Sequence, residues 1–388
     1  MEFSAGGRLA IRVSAADVGK RVSVRRVVDG GPEGGKFTDT VGVLTSWDDG
    51  ALLITRRDGE RVRIEESSLV AGKVVPAAPA RRRGPAASFT ELARVAARAW
   101  QPVEREPLGE WELRAAVQEV PRAARPGGAV VGRRAGFTRR ANSVLPLGDP
   151  GMPLDEALTA VRRWYAARGL PAFLQLATGA EGTHELLCAE VAERGWVDVV
   201  TAEVWTGALA PVADAEAGGV ELSRNADEAW LGRYQRKGLG EVALKVLGSG
   251  PSVWFATVPG AEGAGPAAIG RCVVDGRWAG FSAVEVDPAQ RRRGLATAVM
   301  AALARRALDE GASAGWLQVE TDNAGARALY AGMGFVAHHA YHHYREPDPE
   351  DTGPGGDPGA RTGTGTGTST STGTESATGS GSAPDGSP

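Results

Sequence analysis

The fold of this chain is decided by the stretch Val284-Glu285-Val286-Asp287-Pro288-Ala289-Gln290-Arg291-Arg292-Arg293-Gly294-Leu295-Ala296-Thr297. Its start is typical of a β-strand, and the alanine- and leucine-rich run after Gly294 is typical of a long helix. A glycine at this junction lets the backbone approach a ligand closely, and the unpaired amides of the first helical turn attract anions. The junction predicts a pyrophosphate-binding loop formed by Arg291, Arg292, Arg293, Gly294, Leu295, Ala296 and Thr297.

Two other interpretations concern the same loop. A dinucleotide-binding loop has three glycines, of which only Gly294 is present, and Glu310, near the expected ribose-binding acid, falls inside the helical run. The arginines also suit a solvated basic turn, because three adjacent side chains cannot all face one ligand. We expect Arg291, Gly294 and the backbone to bind.

A second motif follows after a predicted strand at residues 315–320. It reads Asn323-Ala324-Gly325-Ala326-Arg327-Ala328-Leu329-Tyr330, with Gly334-Phe335 closing the helix. In order and spacing, the two motifs together resemble the Gcn5-related N-acetyltransferase (GNAT) superfamily. The resemblance implies an α/β fold with a mixed sheet, acetyl-CoA as co-substrate, and transfer of the acetyl group to a primary amine by direct attack.

The resemblance also implies roles for particular residues. Tyr330 is the expected proton donor to the departing thiolate, and Asn323 suits both an N-cap and binding of the pantetheine arm. The backbone of Val284, Glu285 and Val286 is expected to lie beside the thioester, where an amide polarises the carbonyl.

The proton acceptor is not fixed by the motifs. Relatives that acetylate protein N-termini often carry a glutamate where this chain has Gln318. Glu320 lies two positions further along the same strand face, and Glu285 lies on the neighbouring strand. Both are candidate bases, with a solvated or structural carboxylate as the alternative for each.

The region from Ser88 to Leu209 aligns with the C-terminal region as a diverged repeat. Gly195-Trp196 corresponds to Gly334-Phe335, but the segment equivalent to the arginine loop is shortened, and Val191 occupies the position of Tyr330. We therefore predict a degenerate GNAT half that shapes the acceptor site, followed by a catalytic half.

Short alternating strands with Asp-Gly turns before residue 76 predict a small all-β barrel that looks like an SH3 domain. Its role is either to bind a protein partner or to pack against its neighbour.

The glycine-, threonine- and serine-rich C-terminus predicts a disordered tail. The predicted boundaries are an SH3-like barrel at 1–76, a linker at 77–87, the degenerate half at 88–210, the catalytic half at 218–346 and the tail at 347–388.

Composition limits the partners. A net charge of −3 gives no overall basic field for nucleic acid or membrane binding, and no apolar run is long enough to span a bilayer. Two distant cysteines, Cys188 and Cys272, and the lack of a signal-like N-terminus favour the cytoplasm.

Four histidines lie between His338 and His343, but strand alternation separates them into pairs, so we expect no metal and a solvent-exposed last strand near the acceptor site.

Three functions are compatible with these observations. The first is an N-acetyltransferase for a small-molecule amine or an amino group of a peptide or protein. The second is a non-catalytic acetyl-CoA-binding sensor that engages another protein. The third function rests only on the tandem organisation of the chain, which resembles that of mycothiol synthase. Its acceptor would be an amino-sugar thiol precursor.

Overall fold

We analysed a computed structural model that describes residues 11–28, 36–76, 85–121, 132–234 and 240–347. Most of the predicted linker and tail lie outside the described residues.

The N-terminal β-domain, residues 11–74, is a six-stranded sheet in the order β1-β6-β2-β3-β4-β5. Among the described strands of this sheet, β1 and β6 are the one parallel pair, and the other pairs are antiparallel. The sequence predicts four strands in this region, at 21–28, 40–47, 52–56 and 61–64, which correspond to β2 to β5. The short β1 and the closing β6 were not foreseen, and the likeness to an SH3 domain stays a prediction. The strands are β1 Ile11–Arg12, β2 Arg21–Val28, β3 Lys36–Asp48, β4 Ala51–Thr55, β5 Arg61–Glu65 and β6 Leu69–Val74.

The loop between β4 and β5 contacts the rest of the protein. Arg57 Nη2 donates to the carbonyls of Ala337 and His338, both at 2.9 Å, and the Arg57 carbonyl accepts from Thr178 Oγ1 at 2.9 Å. A Cβ at Gly59 would come within 2.4 Å of the His342 ring. The β-domain thus packs closely against its neighbour.

The other elements alternate between strands and helices. The helices are α1 Phe89–Ala99, α2 Leu154–Ala166, α3 Glu185–Glu193, α4 Ala210–Ala213, α5 Glu228–Arg233, α6 Glu241–Leu247, α7 Leu295–Asp309 and α8 Ala324–Gly332. The strands are β7 Glu104–Leu108, β8 Trp111–Ala115, β9 Val117–Pro121, β10 Gly132–Gly136, β11 Leu145–Pro146, β12 Phe173–Thr178, β13 Val197–Ala208, β14 Glu221–Ser223, β15 Ser252–Val258, β16 Ala268–Asp275, β17 Trp278–Val286, β18 Ala314–Glu320 and β19 Val336–Arg345.

Eight strands form one mixed sheet in the order β12-β19-β13-β18-β17-β16-β15-β14. The two predicted halves exchange their last strands: β13 of the middle half pairs with β18 and β19, and β19 of the C-terminal half pairs with β12 and β13. The predicted mixed α/β fold with tandem halves is confirmed. The halves nevertheless share a single sheet.

Helices cover both faces of this sheet. On the α1 face, α1, α5 and α6 bury side chains such as Leu92, Trp230 and Val246 against the strands. On the α7 face, α7 buries Val299 and Leu303. Close contact on this second face requires glycine at position 270 of β16, because a Cβ there would come within 2.4 Å of Val299 Cγ1.

The expected solvent-exposed last strand is wrong. β19 has a hydrogen-bonded strand on each side, and both of its faces are covered: His339 packs edge-on against Phe89 of α1, and His342 lies against the turn at Gly59. His339, His342 and His343 are therefore only 4%, 1% and 3% exposed. This burial depends on packing between distant parts of the chain, which no local pattern indicates.

Candidate active site

The sheet opens between its two central strands. β17 and β18 run parallel and pair from Trp278 with Ala314 to Phe281 with Leu317, where their pairing ends. β17 continues to Val286 against β16, and β18 continues to Glu320 against β13. The result is a wedge-shaped gap inside a sheet that stays bonded on both sides.

A bulge in β17 lines this gap. The β16–β17 register shifts between Ile269 and Arg271, so Ala283 and Val284 have no partner in the ladder. Ala283 adopts a φ of 52°, which is uncommon for a residue other than glycine. Because a bulge bends the strand and frees its backbone groups, the backbone beside the gap is positioned differently from that of a regular strand.

The loop after β17 leads to a helix start without a side-chain cap. Arg292 and Gly294 adopt φ angles of 60° and 77°, and α7 begins at Leu295 with no side chain capping its end and no acid in its first turn. The amides of Leu295, Ala296 and Thr297 are therefore unpaired donors at the positive end of the helix dipole. This arrangement fits a pyrophosphate.

The arginines before Gly294 differ in their contacts. Arg293 donates to the Gln290 side chain, whereas Arg291 and Arg292 lie exposed on the loop. Asp287 fixes the start of the loop by accepting from the amide of Ala289 at 2.8 Å and pairing with Arg233.

The equivalent helix start in the middle half is different. α2 begins after Pro153, with Asp155 and Glu156 in its first turn, and spans 13 residues against 15 for α7. Asp155 is ion-paired with Arg194, and Glu156 adds a second negative charge, so this helix start attracts a phosphate less than the start of α7 does. Val191, which replaces the tyrosine of the motif, is fully buried in the core.

The second motif forms α8, which starts after the gap. Asn323 caps this helix by accepting from the amide of Ala326 at 3.0 Å. Tyr330 lies half-buried with its ring centroid 6.3 Å from that of Phe335. Burial raises the pKa of the Tyr330 phenol to about 12, so the hydroxyl keeps its proton at neutral pH.

The two candidate carboxylates lie on the same face of the sheet, one on each side of the gap. Glu285 is opposite Ile269, and Glu320 is opposite Ala202, both of which belong to the α1-face core. Gln318 belongs to this face too and lines a small cavity of about 20 Å³ with His339 and Tyr341. Both carboxylates therefore lie on the α1 side of the gap.

One residue near this site was not foreseen from the sequence. Arg140, from the middle half, donates from Nε to the hydroxyl of Tyr341 at 3.2 Å, and its guanidinium lies 5.6 Å from the Trp100 ring centroid. No motif marks it, because its neighbours in space come from distant parts of the chain.

The described residues contain no group of three or more His, Cys, Asp or Glu side chains placed to hold a metal ion. No helix among them is long and apolar enough to cross a membrane.

Cys188 and Cys272 are both buried and unpaired, and burial raises the pKa of each thiol to about 12.

Comparison with known proteins places the chain in a family. The family model described as "Probable histone acetyltransferase Rv0428c C-terminal" matches residues 86–344. The chain belongs to this family. The Rv0428c C-terminal family match begins just before α1 and ends within β19, so it includes both halves of the shared sheet. The predicted assignment to an acetyltransferase family is confirmed.

Individual relatives are more distant. The probable histone acetyltransferase Rv0428c of Mycobacterium tuberculosis (strain ATCC 25618 / H37Rv) is 28% identical over 335 residues, which cover 84% of this chain and 95% of that protein. A tandem GNAT protein from the clavulanic acid biosynthesis pathway aligns with a TM-score of 0.45 and 15% identity over 68% of this chain and 91% of its own. A GCN5-related N-acetyltransferase from Kribbella flavida aligns with a TM-score of 0.44 and 16% identity over 68% of this chain and 97% of its own.

Proposed function

We propose that this protein transfers the acetyl group of acetyl-CoA to a primary amine by direct attack. The observation that carries the proposal is the gap between β17 and β18, which opens beside the uncapped start of α7. Acetyl-CoA bound with its thioester in the gap would place its pyrophosphate at the amides of Leu295, Ala296 and Thr297.

Cofactor binding would involve the loop and both strand ends. Gly294 and Arg291 would approach the pyrophosphate, with Arg292 and Arg293 adding positive charge around it. The backbone of Val284, Glu285 and Val286, on the edge of β17 that no longer pairs with β18, would face the pantetheine and the thioester. Asn323, at the head of α8, would bind the pantetheine arm.

The reaction needs two proton transfers. The amine nitrogen attacks the thioester carbonyl carbon, the carbon–sulfur bond breaks, and the thiolate takes a proton from Tyr330. A phenol whose pKa is about 12 is protonated at neutral pH and therefore available as a donor. The ammonium proton leaves to Glu320 or Glu285, directly or through water, and we rank Glu320 slightly higher.

The acceptor is an amine of a small molecule or an amino group of a peptide or protein. The Mycobacterium tuberculosis relative is named a probable histone acetyltransferase, so lysine-rich protein belongs among the acceptors to be tried. We place the reaction in the cytoplasm, which is consistent with two buried, unpaired cysteines.

We also propose that the predicted segments act as functional units. These are the SH3-like barrel at 1–76, the degenerate half at 88–210 and the catalytic half at 218–346, which contains the catalytic centre. The contacts of Arg57 with Ala337, His338 and Thr178 favour a packing role for the β-domain over a role in binding a partner.

Release of CoA in the presence of an amine panel tests the proposal. The panel contains amino acids, polyamines, an amino-sugar thiol, peptides and a lysine-rich protein. Enzyme-dependent CoA release with acetylated product supports transfer. Saturable acetyl-CoA binding without turnover on any acceptor would instead favour the sensor.

A further inference from the structure

A partly buried cation lies on the α1 face, beside the side from which the acceptor is expected. Arg140 is half-buried, and among the described residues its guanidinium makes no ion pair; its one hydrogen bond goes from Nε to the Tyr341 hydroxyl. Burying a charge without a counter-ion in contact is costly. The two Nη groups are thus available to an anion.

The position of Arg140 relative to Glu320 follows from the strand register. Tyr341, Ala202 and Glu320 stand directly opposite one another on β19, β13 and β18. Their side chains share one face, so the backbones of Tyr341 and Glu320 are about 10 Å apart with a small methyl group between them. Arg140 contacts the Tyr341 hydroxyl at one end of this row.

Electrostatic coupling connects the two ends of the row. Burial lowers the pKa of the Arg140 guanidinium, but the Tyr341 hydroxyl and the charge of Glu320 more than offset this, so the pKa is raised. Arg140 is therefore fully charged at physiological pH. The row presents a cation at one end and a carboxylate at the other.

Arg140 is held by a rigid turn. Thr138, two residues earlier, has a φ of 56°, a strained value for a β-branched residue. Buried Asn142 stabilises this turn: its Nδ2 donates to the carbonyls of Phe137 at 2.8 Å and Thr138 at 3.0 Å, and its Oδ1 accepts from the amide of Ala116 at 2.8 Å.

The same cluster contains a buried histidine. His343 is 3% exposed, and within the described part of the chain neither of its ring nitrogens has a hydrogen-bond partner. Its ring packs edge-on against Tyr341, with centroids 5.5 Å apart. Burial, followed by the charge of Arg140, holds its pKa well below the ordinary value, so His343 stays neutral and Arg140 provides the charge.

We propose that Arg140 is a specificity-determining residue that binds a carboxylate of the acceptor while the reacting amine lies toward Glu320. The acceptor class is then an amine with a nearby carboxylate, as in a free amino acid. The middle half, without a cofactor site of its own, contributes the cation that selects the substrate. This inference rests on the proposed acetyl transfer and narrows it.

The experiment compares each of the common L-amino acids with its own carboxamide as acceptor. With the natural protein we expect at least one amino acid to be acetylated with a kcat/KM roughly 10- to 100-fold above that of its carboxamide, the effect of one charge-assisted hydrogen bond. R140Q should remove this preference by raising the KM of the amino acid, and R140K should restore part of it. The KM of acetyl-CoA should not change.

R139Q is the matched control, because the neighbouring Arg139 lies over Phe173 in the middle half, 5.8 Å from its ring centroid. It should keep the preference. The inference is overturned if carboxamides are acetylated as well as the acids, if R140Q keeps the preference, or if no amino acid is acetylated. Turnover of a lysine-rich protein alone would overturn this inference and leave the proposed function intact, whereas absence of any turnover would overturn the proposed function itself.

Discussion

Phe281 and Leu317 are the last residues at which the two central strands pair. One position earlier, Gly280 lies against the indole of Trp316, and a Cβ at Gly280 would come within 2.4 Å of Cζ2. Only glycine therefore fits at position 280, next to the last pair. Because β16 and β13 continue to pair with the diverging strands, the gap lies inside a sheet that is bonded on both sides.

Gly294 should matter for binding more than for folding. Its φ of 77° is unfavourable for alanine, but a Cβ there would meet no atom within 4 Å. We expect G294A to raise the Kd for acetyl-CoA by about tenfold or more, because the added methyl group would lie where the backbone approaches the pyrophosphate. Calorimetric titration measures this.

Gly311 provides the matched control at the other end of α7. It has a φ of 90° and equally open surroundings, so G311A carries a similar conformational cost far from the loop. Equal losses of acetyl-CoA affinity in G294A and G311A would argue against a cofactor loop at Gly294.

Tyr330 should act as a proton donor. Y330F is expected to lower kcat by about 100-fold with little change in the Kd for acetyl-CoA. Since burial raises the pKa of the phenol to about 12, the protonated form persists well above the ordinary tyrosine value of 10.0. Activity that depends on this proton is lost only near the raised pKa, so kcat should show no descending limb due to Tyr330 between pH 7 and pH 10.

Tyr165 serves as the comparison for this substitution. Its hydroxyl donates to the carbonyl of Arg114 at 2.9 Å inside the middle half. Y165F should lower the free energy of unfolding by about 1 kcal/mol and leave kcat unchanged. A Y330F enzyme with full kcat would remove Tyr330 from the mechanism.

Glu320 and Glu285 can be separated by conservative substitution. E320Q should lower kcat by about 10- to 100-fold, because glutamine cannot accept the ammonium proton. E285Q should have the smaller effect. If both variants keep the natural kcat, carboxylate catalysis is excluded.

The strand exchange predicts that the catalytic half does not fold alone. A fragment of residues 218–347 lacks β13, so β18 and β19 lose the strand that joins them. We expect no cooperative thermal transition by circular dichroism for this fragment, and a cooperative one for residues 86–347. If the 218–347 fragment folds and binds acetyl-CoA, the catalytic half does not need the shared sheet in order to fold.

The local features of the C-terminal half were predictable from sequence. The strand ending at Val286, the helix starting after Gly294 and the Asn323 cap all follow from short-range patterns and are present. Non-local pairing was not predictable. The exchange of β13 and β19, the burial of the β19 histidines and the approach of Arg140 to Tyr341 depend on residues far apart in the chain, whose register no periodicity encodes.

We infer that the duplicated fold has one acetyl-CoA site, because neither helix start has a side-chain cap, but α7 has no acid in its first turn and α2 has two. Titration of the full chain with acetyl-CoA by calorimetry tests this directly. We expect one bound acetyl-CoA per chain, with binding weakened by G294A. Two sites per chain, or no saturable binding, would contradict it.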